Sequence, residues 1–354
     1  MHRITESTFS GNLGHGISYT SAQMETHLFR IERSKIVNNG LSPSLNKIYP
    51  GAIFLNASNQ VFQIFNNYLA KNRNGTLYST IQNDESAPNQ PISQLHANTI
   101  ESNKGGTVFL EGISGAYLTV KVTDNYFSVN LAMDLDHYVH SICNISNLVA
   151  HLRGNFFYNN SGQYVLEYSF PVTYVTGLTF LNNTLFRNHG LGVNYGATIL
   201  CNGRAEMHGN VIENPRNHYQ ISTTWQAGSI IVNATLNWWG EGVLTLIAPL
   251  IMDSTKDNKL SLKVIFQPFI QLQPQRVLSS KFRSGFVNFF CCPTDITSMA
   301  VRQLDYPLKL HGMRCRNSLG GPFKGVGGVG VGEGSIYCSN ITINMTANQQ
   351  LTII

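Results

Sequence analysis

The sequence predicts an all-β protein, a right-handed parallel β-helix of about nine coils followed by an irregular Cys-containing tail. Only 12% of the 354 residues are charged, while 42% are apolar. Asn, Gly, Ser and Thr are abundant, and such residues favour turns over helix interiors. An Asn-x-apolar segment also recurs every 27–33 residues. A repeat of this length indicates stacked structural units, none of which can bury its apolar face alone.

Each repeat contains four aligned positions. The position two residues after the Asn is apolar in nine copies, from Phe9 to Trp239, and so is the position three residues before it, from Ile4 to Ala234. The Asn position is filled by Asn67, Asn98, Asn125, Asn155, Asn183, Asn210 and Asn237, after Ser7 and Ser34 in the first two copies. Five residues later stands a second polar column: Asn12, Asn39, Asn72, Asn103, Asn130, Asn160 and Asn188.

These columns predict how the coils stack. Three short strands and their turns account for one unit, and coils about 4.8 Å apart form parallel sheets. The apolar columns then point into the coil. We expect the Asn column to form a hydrogen-bonded ladder, because an amide both donates and accepts, and to occupy the left-handed bend, which Asn tolerates.

The repeat divides the chain into three regions. Residues 1–273 form the predicted β-helix, 274–334 an irregular Cys/Gly-rich connector, and 335–354 the truncated start of a further β-helix segment. The last coil contains IVNATLNWWG, in which Trp239 occupies the inward column and plugs the core. Trp238 should point outward, so that it alone of the two rings could meet a ligand. The apolar run Val243 to Met252 is expected to form a pair of buried strands.

Charge and hydropathy exclude two classes of partner. The net charge of +5 is spread without a basic run, so nucleic-acid binding is not expected. No apolar run reaches the roughly 20 residues that span a bilayer, so this segment should not insert into a membrane. Eight Asn-x-Ser/Thr sequons together favour an extracellular, glycosylated context: Asn56, Asn74, Asn144, Asn159, Asn182, Asn233, Asn340 and Asn344.

The repeat resembles the pectin-lyase-like superfamily of β-helices. More narrowly, NATLNWWGEG and the aromatic-x-Pro segment Phe266-Gln267-Pro268 resemble the end of the β-helix regions in bark beetle-like proteins. Those are large animal cell-surface proteins of tricellular junctions. The resemblance implies a non-enzymatic extracellular segment, a stiff glycosylated scaffold in an adhesion or cell-junction protein of a membrane-anchored parent. Its partners would be other cell-surface or matrix proteins and glycans.

A carbohydrate-active or carbohydrate-binding β-helix is the alternative. Gly14-His15-Gly16 matches the Gly-His-Gly of polygalacturonases, but the partner acidic motifs of that family do not occur nearby. Asp134 and Asp136 alternate along a predicted strand, and with Asp124 they suggest a Ca²⁺ site of the kind that lyases of this fold use. In such a lyase Arg153, one coil further on, would be the base that removes the sugar proton. A solvated loop explains the same residues. His96 and His208 are expected on the surface. The sequence therefore predicts no catalytic residue, metal ligand or cofactor.

The cysteines divide into two groups. Cys143 and Cys201 lie two coils apart, beyond the reach of a disulfide, so both should be free or buried. Four others follow the predicted solenoid, where bridges would stabilise a region with little core. The disulfide candidates are Cys291, Cys292, Cys315 and Cys338, and each of the adjacent pair is expected to bond to one of the other two.

Overall fold

A computed structural model describes residues 2–21, 27–40, 51–58, 60–82, 92–113, 118–133, 140–171, 175–191, 197–224, 230–260 and 262–274, together with the backbone of 308–316 and 337–345. The chain divides into two compact units, Met1–Pro274 and Gln275–Ile354.

The first unit is a parallel β-solenoid. Its first four coils contain β1 (His2–Thr5), β2 (Thr8–Ser10), β3 (Ile17–Ser21), β4 (His27–Glu32), β5 (Lys35–Val37), β6 (Ile53–Ser58), β7 (Gln60–Phe65), β8 (Tyr68–Ala70), β9 (Leu77–Gln82), β10 (Ser93–His96), β11 (Thr99–Glu101) and β12 (Val108–Gly112). The next two contain β13 (Thr119–Thr123), β14 (Tyr126–Ser128), β15 (Cys143–Ser146), β16 (Val149–Arg153), β17 (Phe156–Tyr158), β18 (Ser161–Gly162) and β19 (Leu166–Ser169). The remainder contains β20 (Leu178–Leu181), β21 (Thr184–Phe186), β22 (His189–Gly190), β23 (Ala197–Asn202), β24 (Ala205–His208), β25 (Val211–Glu213), β26 (Tyr219–Thr223), β27 (Ile231–Asn233), α1 (Leu244–Ile247), the 3-10 turn Ala248–Leu250, β28 (Ile251–Met252) and β29 (Lys263–Ile265).

Three parallel sheets run along the solenoid. Sheet 1 has the order β1-β4-β7-β10-β13-β16-β20-β24-β27-β29, sheet 2 the order β2-β5-β8-β11-β14-β17-β21-β25, and sheet 3 the order β28-β26-β23-β19-β15-β12-β9-β6-β3. Strands β18 and β22 form a small fourth sheet. At about 4.8 Å between strands, the ten strands of sheet 1 extend about 43 Å. The predicted all-β parallel solenoid is confirmed.

The core consists of the two predicted apolar columns together with inward residues of sheet 3. From the second coil onward, every residue of both columns is fully buried, from Ile31 and Ile36 to Ala234 and Trp239. Their burial follows from strand alternation, which points every second side chain inward. The inward phase of the repeat was therefore correctly predicted from sequence.

Two asparagine ladders line the bends on either side of sheet 2. In the first, each Nδ2 donates to the Oδ1 of the next coil's asparagine at 2.8–3.1 Å, from Asn67 to Asn237. In the second, the same bonds run from Asn12 at 2.8–3.2 Å and extend beyond Asn188 to Asn214. The first ladder from Asn67 onward and the second from Asn39 onward are nearly solvent-free, so their amides satisfy polar groups that would otherwise be costly to bury.

The left-handed bend lies one residue before the ladder asparagine, which corrects the sequence prediction. The residues immediately preceding the first ladder have φ of 50–68°: Arg33, Asn66, Ala97, Asp124, Gly154, Asn182, Gly209 and Leu236. Those preceding the second have φ of 50–72°: Gly11, Asn38, Lys71, Ser102, Val129, Asn159 and Arg187. The bend thus tolerates many residue types, whereas the next position requires an amide for the ladder.

A short helical segment precedes β28 near the end of the solenoid, and the expected buried strand pair at Val243 to Met252 is wrong. Pro249 lies within the 3-10 turn and has no N–H for a sheet, and only β28 is a strand. Of this helical segment, Ile247 enters the core. Asp253 Oδ2 then accepts a hydrogen bond from the Val264 N–H at 2.8 Å, which joins the segment to β29.

The two adjacent tryptophans are both buried. Trp239 is fully buried in the inward column, as predicted, whereas Trp238 is 7% exposed and its indole N–H points to Glu213 Oε2 at 3.4 Å. The expectation that Trp238 is available to a ligand is therefore wrong. Its backbone forms a bridge to Val211, which extends sheet 2 by one residue and holds the ring against the preceding coil.

In the second unit, β30 (Leu308–Arg316) pairs antiparallel with β31 (Tyr337–Met345). The register places Cys315 opposite Cys338.

Candidate functional site

The outer face of sheet 3 presents a continuous column of side chains, one from each coil. Parallel pairing aligns Phe54 with Tyr78, Tyr78 with Phe109, Phe109 with Asn144, and Asn144 with Glu167. The column therefore changes from aromatic to polar between Phe109 and Asn144. The boundary between Phe109 and Asn144 is therefore chemically different from the rest of this column.

The aromatic part of this column is a stack of rings. His15 lies 5.1 Å from Phe54, Phe54 lies 5.6 Å from Tyr78, and Tyr78 lies 5.0 Å from Phe109, with interplanar angles of 8–17°. Each inner ring therefore has a neighbour on both faces. Phe109 is the last ring, and its second face is turned towards the coil of Asn144.

A cavity of about 220 Å³ opens where the stack ends, and we call it the stack-end cavity. Three glycines leave one wall without side chains, and the other walls combine one aromatic ring with amide, hydroxyl, imidazole and carboxylate groups. Its lining residues are Gly75, Leu77, Gly105, Gly106, Val108, Phe109, His140, Ser141, Asn144, Gln163 and Glu167. An apolar surface with a few convergent polar groups is the usual composition of a small-ligand site.

The polar groups of the cavity suit hydrogen bonding better than acid–base hydrolysis. Ser141 Oγ donates to Glu167 Oε2 at 2.5 Å, and His140 is exposed. Among the residues that line the cavity, Glu167 is the one carboxylate, whereas glycoside hydrolysis ordinarily uses two across the scissile bond. The cavity can accept hydroxyl and amide hydrogens, and no step of bond cleavage follows from its geometry.

Sheet 2 has a second aromatic array on its outer face. Tyr126 stacks on Phe156 with ring centres 5.6 Å apart, and Tyr158 stacks on Phe186 at 6.0 Å. The rings are half-buried and stack on one another along the solenoid axis, so their faces are used between coils. The two stacks of this array each join neighbouring coils.

The residues considered for catalysis do not form a site in the described structure. Asp134, Asp136 and His137 lie outside the described residues. Asp124 Oδ2 lies 3.5 Å from His96 Nδ1 on the outer face of sheet 1, and Arg153 is exposed. Among the described residues, no group of three or more His, Cys, Asp or Glu side chains has the arrangement of a metal site.

The predicted surface histidines and the Gly-His-Gly segment have structural contacts. His208 Nε2 lies 2.9 Å from Glu206 Oε2, and His96 Nδ1 lies 2.8 Å from Thr123 Oγ1. Both histidines lie on the outer face of sheet 1, as expected. His15 contacts the Gly51 carbonyl through Nδ1 and begins the ring stack. The contacts of His15 therefore connect the first coil to the next.

The sequons differ in their surroundings. Asn159 and Asn182 are exposed, each at a positive-φ bend, where an attached glycan would project into solvent. The other four described side chains are partly buried: Asn56 accepts from Thr80 Oγ1 at 2.8 Å, Asn74 donates to the Gly40 carbonyl at 3.3 Å, Asn233 donates to Glu206 at 2.7 Å, and Asn144 lines the stack-end cavity. Asn340 and Asn344 belong to β31, for which the backbone alone is described.

Cys143 and Cys201 are free and buried, as predicted. Their register partners are Leu166 and Tyr168 on the intervening coil, so the two thiols lie in different columns. Burial raises the pKa of each thiol to about 12, which leaves neither thiolate available near neutral pH. Cys291 and Cys292 lie outside the described residues.

Sequence reasoning missed the ring stack and its cavity. The separation between a ladder position and the sheet 3 column is 20 residues from Ser34 to Phe54, 11 from Asn67 to Tyr78 and from Asn98 to Phe109, and 19 from Asn125 to Asn144. Turns of unequal length therefore hide the column from a search at fixed offsets. Aligning the strands that follow each second-ladder asparagine would have recovered it.

No helix in the described part of the chain is both long and apolar enough to cross a lipid bilayer.

Comparison with known proteins gives one weak similarity. No protein-family model matches the sequence, and no solved structure matches it. The chain is 23% identical over 309 residues to Protein bark beetle of Drosophila melanogaster, a match that covers 81% of this chain and 10% of that protein. The chain thus spans about a tenth of the curated relative it matches. It is a β-solenoid with weak homology to one part of a much larger protein.

Proposed function

We propose that this chain is a non-enzymatic extracellular segment of a large cell-surface adhesion or cell-junction protein, in which it acts as a stiff, glycosylated scaffold. The observation that supports a scaffold is the pair of unbroken asparagine ladders. Each interior rung bonds to the coil on either side, so bending or twisting one coil against the next disrupts buried hydrogen bonds. Parallel sheets along three sides oppose the same motions.

The weak homology supports the wider context. Protein bark beetle is about ten times longer than the matched region, which fits a repeated or modular protein in which a solenoid spaces other parts. The proposal includes a parent protein that is anchored in the membrane. It also includes cell-surface proteins, matrix proteins and glycans as partners. The outer faces of the solenoid would then be the surfaces presented laterally to partners.

The proposal is tested by locating the native protein. An antibody raised against the folded chain should stain unpermeabilised cells, with the signal concentrated at cell–cell contacts. The chain secreted from cultured animal cells should also gain mass that peptide-N-glycosidase removes. Staining that requires permeabilisation would contradict the extracellular assignment, and an unmodified secreted chain would contradict glycosylation.

A carbohydrate-binding or carbohydrate-active solenoid is the second candidate, and the stack-end cavity is the observation that favours it. Phe109 offers one ring face beside Glu167 and Gln163, a combination suited to a hydroxylated ring. The test is to incubate the purified chain with a glycan array and with uronate-containing polymers. Depolymerisation that disappears in Glu167→Gln would replace the scaffold proposal with an enzymatic one, and saturable binding without cleavage would make the chain a lectin-like module.

A further inference from the structure

We propose that Asn144 bears an N-linked glycan whose first N-acetylglucosamine ring fills the stack-end cavity and packs on the open face of Phe109. The inference rests on the proposed glycosylation of the chain and makes it specific: one glycan becomes part of the folded structure, whereas others extend into solvent. Three independent features of the cavity support it.

The first feature is register. Asn144 is the direct cross-strand neighbour of Phe109, and both side chains point outward from sheet 3. Neighbouring strands lie about 4.8 Å apart, so directly opposed residues bring their side chains close together. A sugar linked to Asn144 Nδ2 therefore begins within the cavity that Asn144 lines.

The second feature is the unused ring face. Tyr78 covers one face of Phe109 in a nearly parallel stack, 5.0 Å between centres and 8° between planes. The coil beyond contributes no ring to the column, because Asn144 and then Glu167 occupy it. The electron-rich face of an aromatic ring attracts groups of partial positive charge, and the axial C–H groups of a pyranose fit this description. The sugar ring would continue the stack at the spacing of one coil.

The third feature is the polar lining. N-Acetylglucosamine has ring hydroxyls that donate and an acetamido group that both donates and accepts. Glu167 and Gln163 line the cavity with acceptor oxygens, and Gln163 also has donor hydrogens. Gly105 and Gly106 leave space along the opposite wall. The cavity thus offers the first sugar an apolar face and a polar rim, as expected of a carbohydrate-packing site.

Asn159 and Asn182 provide matched internal controls. Both belong to sequons on the same solenoid and both are exposed at bends. Glycans on these two asparagines should be mobile and accessible to enzymes. The difference between Asn144 and these sites is therefore a property of the cavity rather than of glycosylation in general.

The experiment uses the full chain secreted from cultured animal cells. Glycopeptides are quantified by mass spectrometry after peptide-N-glycosidase treatment of the folded and of the urea-unfolded protein. We expect the Asn144 glycan to be released at least tenfold more slowly from the folded protein, and the Asn159 and Asn182 glycans to be released at similar rates from both. Phe109→Leu should abolish the protection at Asn144, whereas Phe156→Leu, on the outer face of sheet 2, should leave it unchanged.

A second measurement separates packing from folding defects. Ser146→Ala removes the Asn144 sequon while keeping Asn144 itself. In protein made by animal cells, this substitution should lower the thermal midpoint by several degrees relative to wild type. In protein made by bacteria, which lack the modification, wild type and Ser146→Ala should unfold within about one degree of each other. Equal shifts from both hosts would show that Ser146 acts structurally and would overturn the inference.

The outcomes also separate this inference from the proposed function. If Asn159 and Asn182 are occupied but Asn144 is not, or if all three glycans are released equally fast, the inference fails and a glycosylated scaffold remains. If no sequon is occupied in the secreted protein, the glycosylated scaffold itself fails. Saturable binding of free oligosaccharide by the bacterially made chain would assign the cavity to an exogenous sugar instead.

Discussion

Removing one rung from the middle of a ladder should destabilise the solenoid far more than removing one from its end. The Asn103 side chain is buried and makes four hydrogen bonds of 3.0 Å: Oδ1 accepts from the N–H and Nδ2 of Asn72, and Nδ2 donates to Leu69 O and Asn130 Oδ1. Asn12 is exposed and its Nδ2 donates to Asn39 Oδ1 at 2.8 Å. Asn103→Ala and Asn12→Ala therefore form a matched pair within one ladder.

The magnitude follows from which partners keep a hydrogen bond. In Asn103→Ala, Asn72 Nδ2 keeps its bond to Ile36 O, and Asn130 Oδ1 keeps the Asn103 N–H. The Asn72 backbone N–H is left buried without an acceptor, which costs about 1–3 kcal/mol. The Asn72 Nδ2 and Asn130 Oδ1 atoms each lose one of their hydrogen bonds, and each loss adds about 1 kcal/mol. The expected loss in free energy of unfolding is about 3–5 kcal/mol, against less than about 1 kcal/mol for Asn12→Ala.

Urea unfolding of the full chain, followed by far-ultraviolet circular dichroism, measures both losses. Similar values for the two variants would refute the argument that buried amide pairing holds the coils together. Asn103→Asp tests the same argument by charge. A carboxylate still accepts from Asn72 but opposes the oxygens of Leu69 and Asn130, so its folded-state pKa is raised. Its destabilisation should therefore grow as pH rises above about 4, and a pH-independent loss would contradict it.

Other predictions follow from the bends, the thiols and the core plug. Val129 is half-exposed at φ 54°. A β-branched residue is strained in the left-handed region, and Asn is not, so Val129→Asn should raise the free energy of unfolding by about 1 kcal/mol. Leu13→Asn, at an exposed position without a positive φ, should not raise it. Equal effects of the two substitutions would show that backbone strain is not the cause. With thiol pKa values near 12, Cys143 and Cys201 should resist iodoacetamide at pH 8 until the chain unfolds, and peptide mapping that finds either residue alkylated in folded protein would contradict this burial. Trp239→Ala should cost about 3–5 kcal/mol in urea unfolding, and a loss under 1 kcal/mol would exclude its role as a core plug.

The features of this fold that could be predicted from sequence are those that need the same kind of side chain in every coil. Asn67 and Asn98 were predictable because an amide ladder requires an amide at each rung, and the inward columns because each coil buries the same positions. The left-handed position was misplaced by one residue, since Ala97, Asp124 and Leu236 fill it equally well and leave no pattern. The ladder position therefore has a residue type that repeats in the sequence, whereas the bend position does not.

The candidate site was less accessible from sequence. The ring column was hidden by turns of unequal length, and the cavity exists because the column changes from Phe109 to Asn144. An interruption of a repeat has no periodicity, so pattern analysis cannot detect it. The burial of Trp238 was missed for a related reason, because it depends on contacts with Glu213 on the preceding coil rather than on strand alternation.

The ladders also have a direction. Between side chains, each interior rung donates to the asparagine of the C-terminal coil and accepts from that of the N-terminal coil. The amide-to-amide bonds therefore all point the same way along the axis, like monomers joined head to tail in a polymer. At the C-terminal end the last donors turn back to local acceptors: Asn214 Nδ2 donates to Gln220 Oε1 at 3.0 Å, and Asn237 Nδ2 to Ala234 O at 2.8 Å. Each ladder therefore has an acceptor end and a donor end, like the two ends of such a polymer. At its donor end the last asparagine finds acceptors on nearby residues, and no further asparagine is needed to satisfy it.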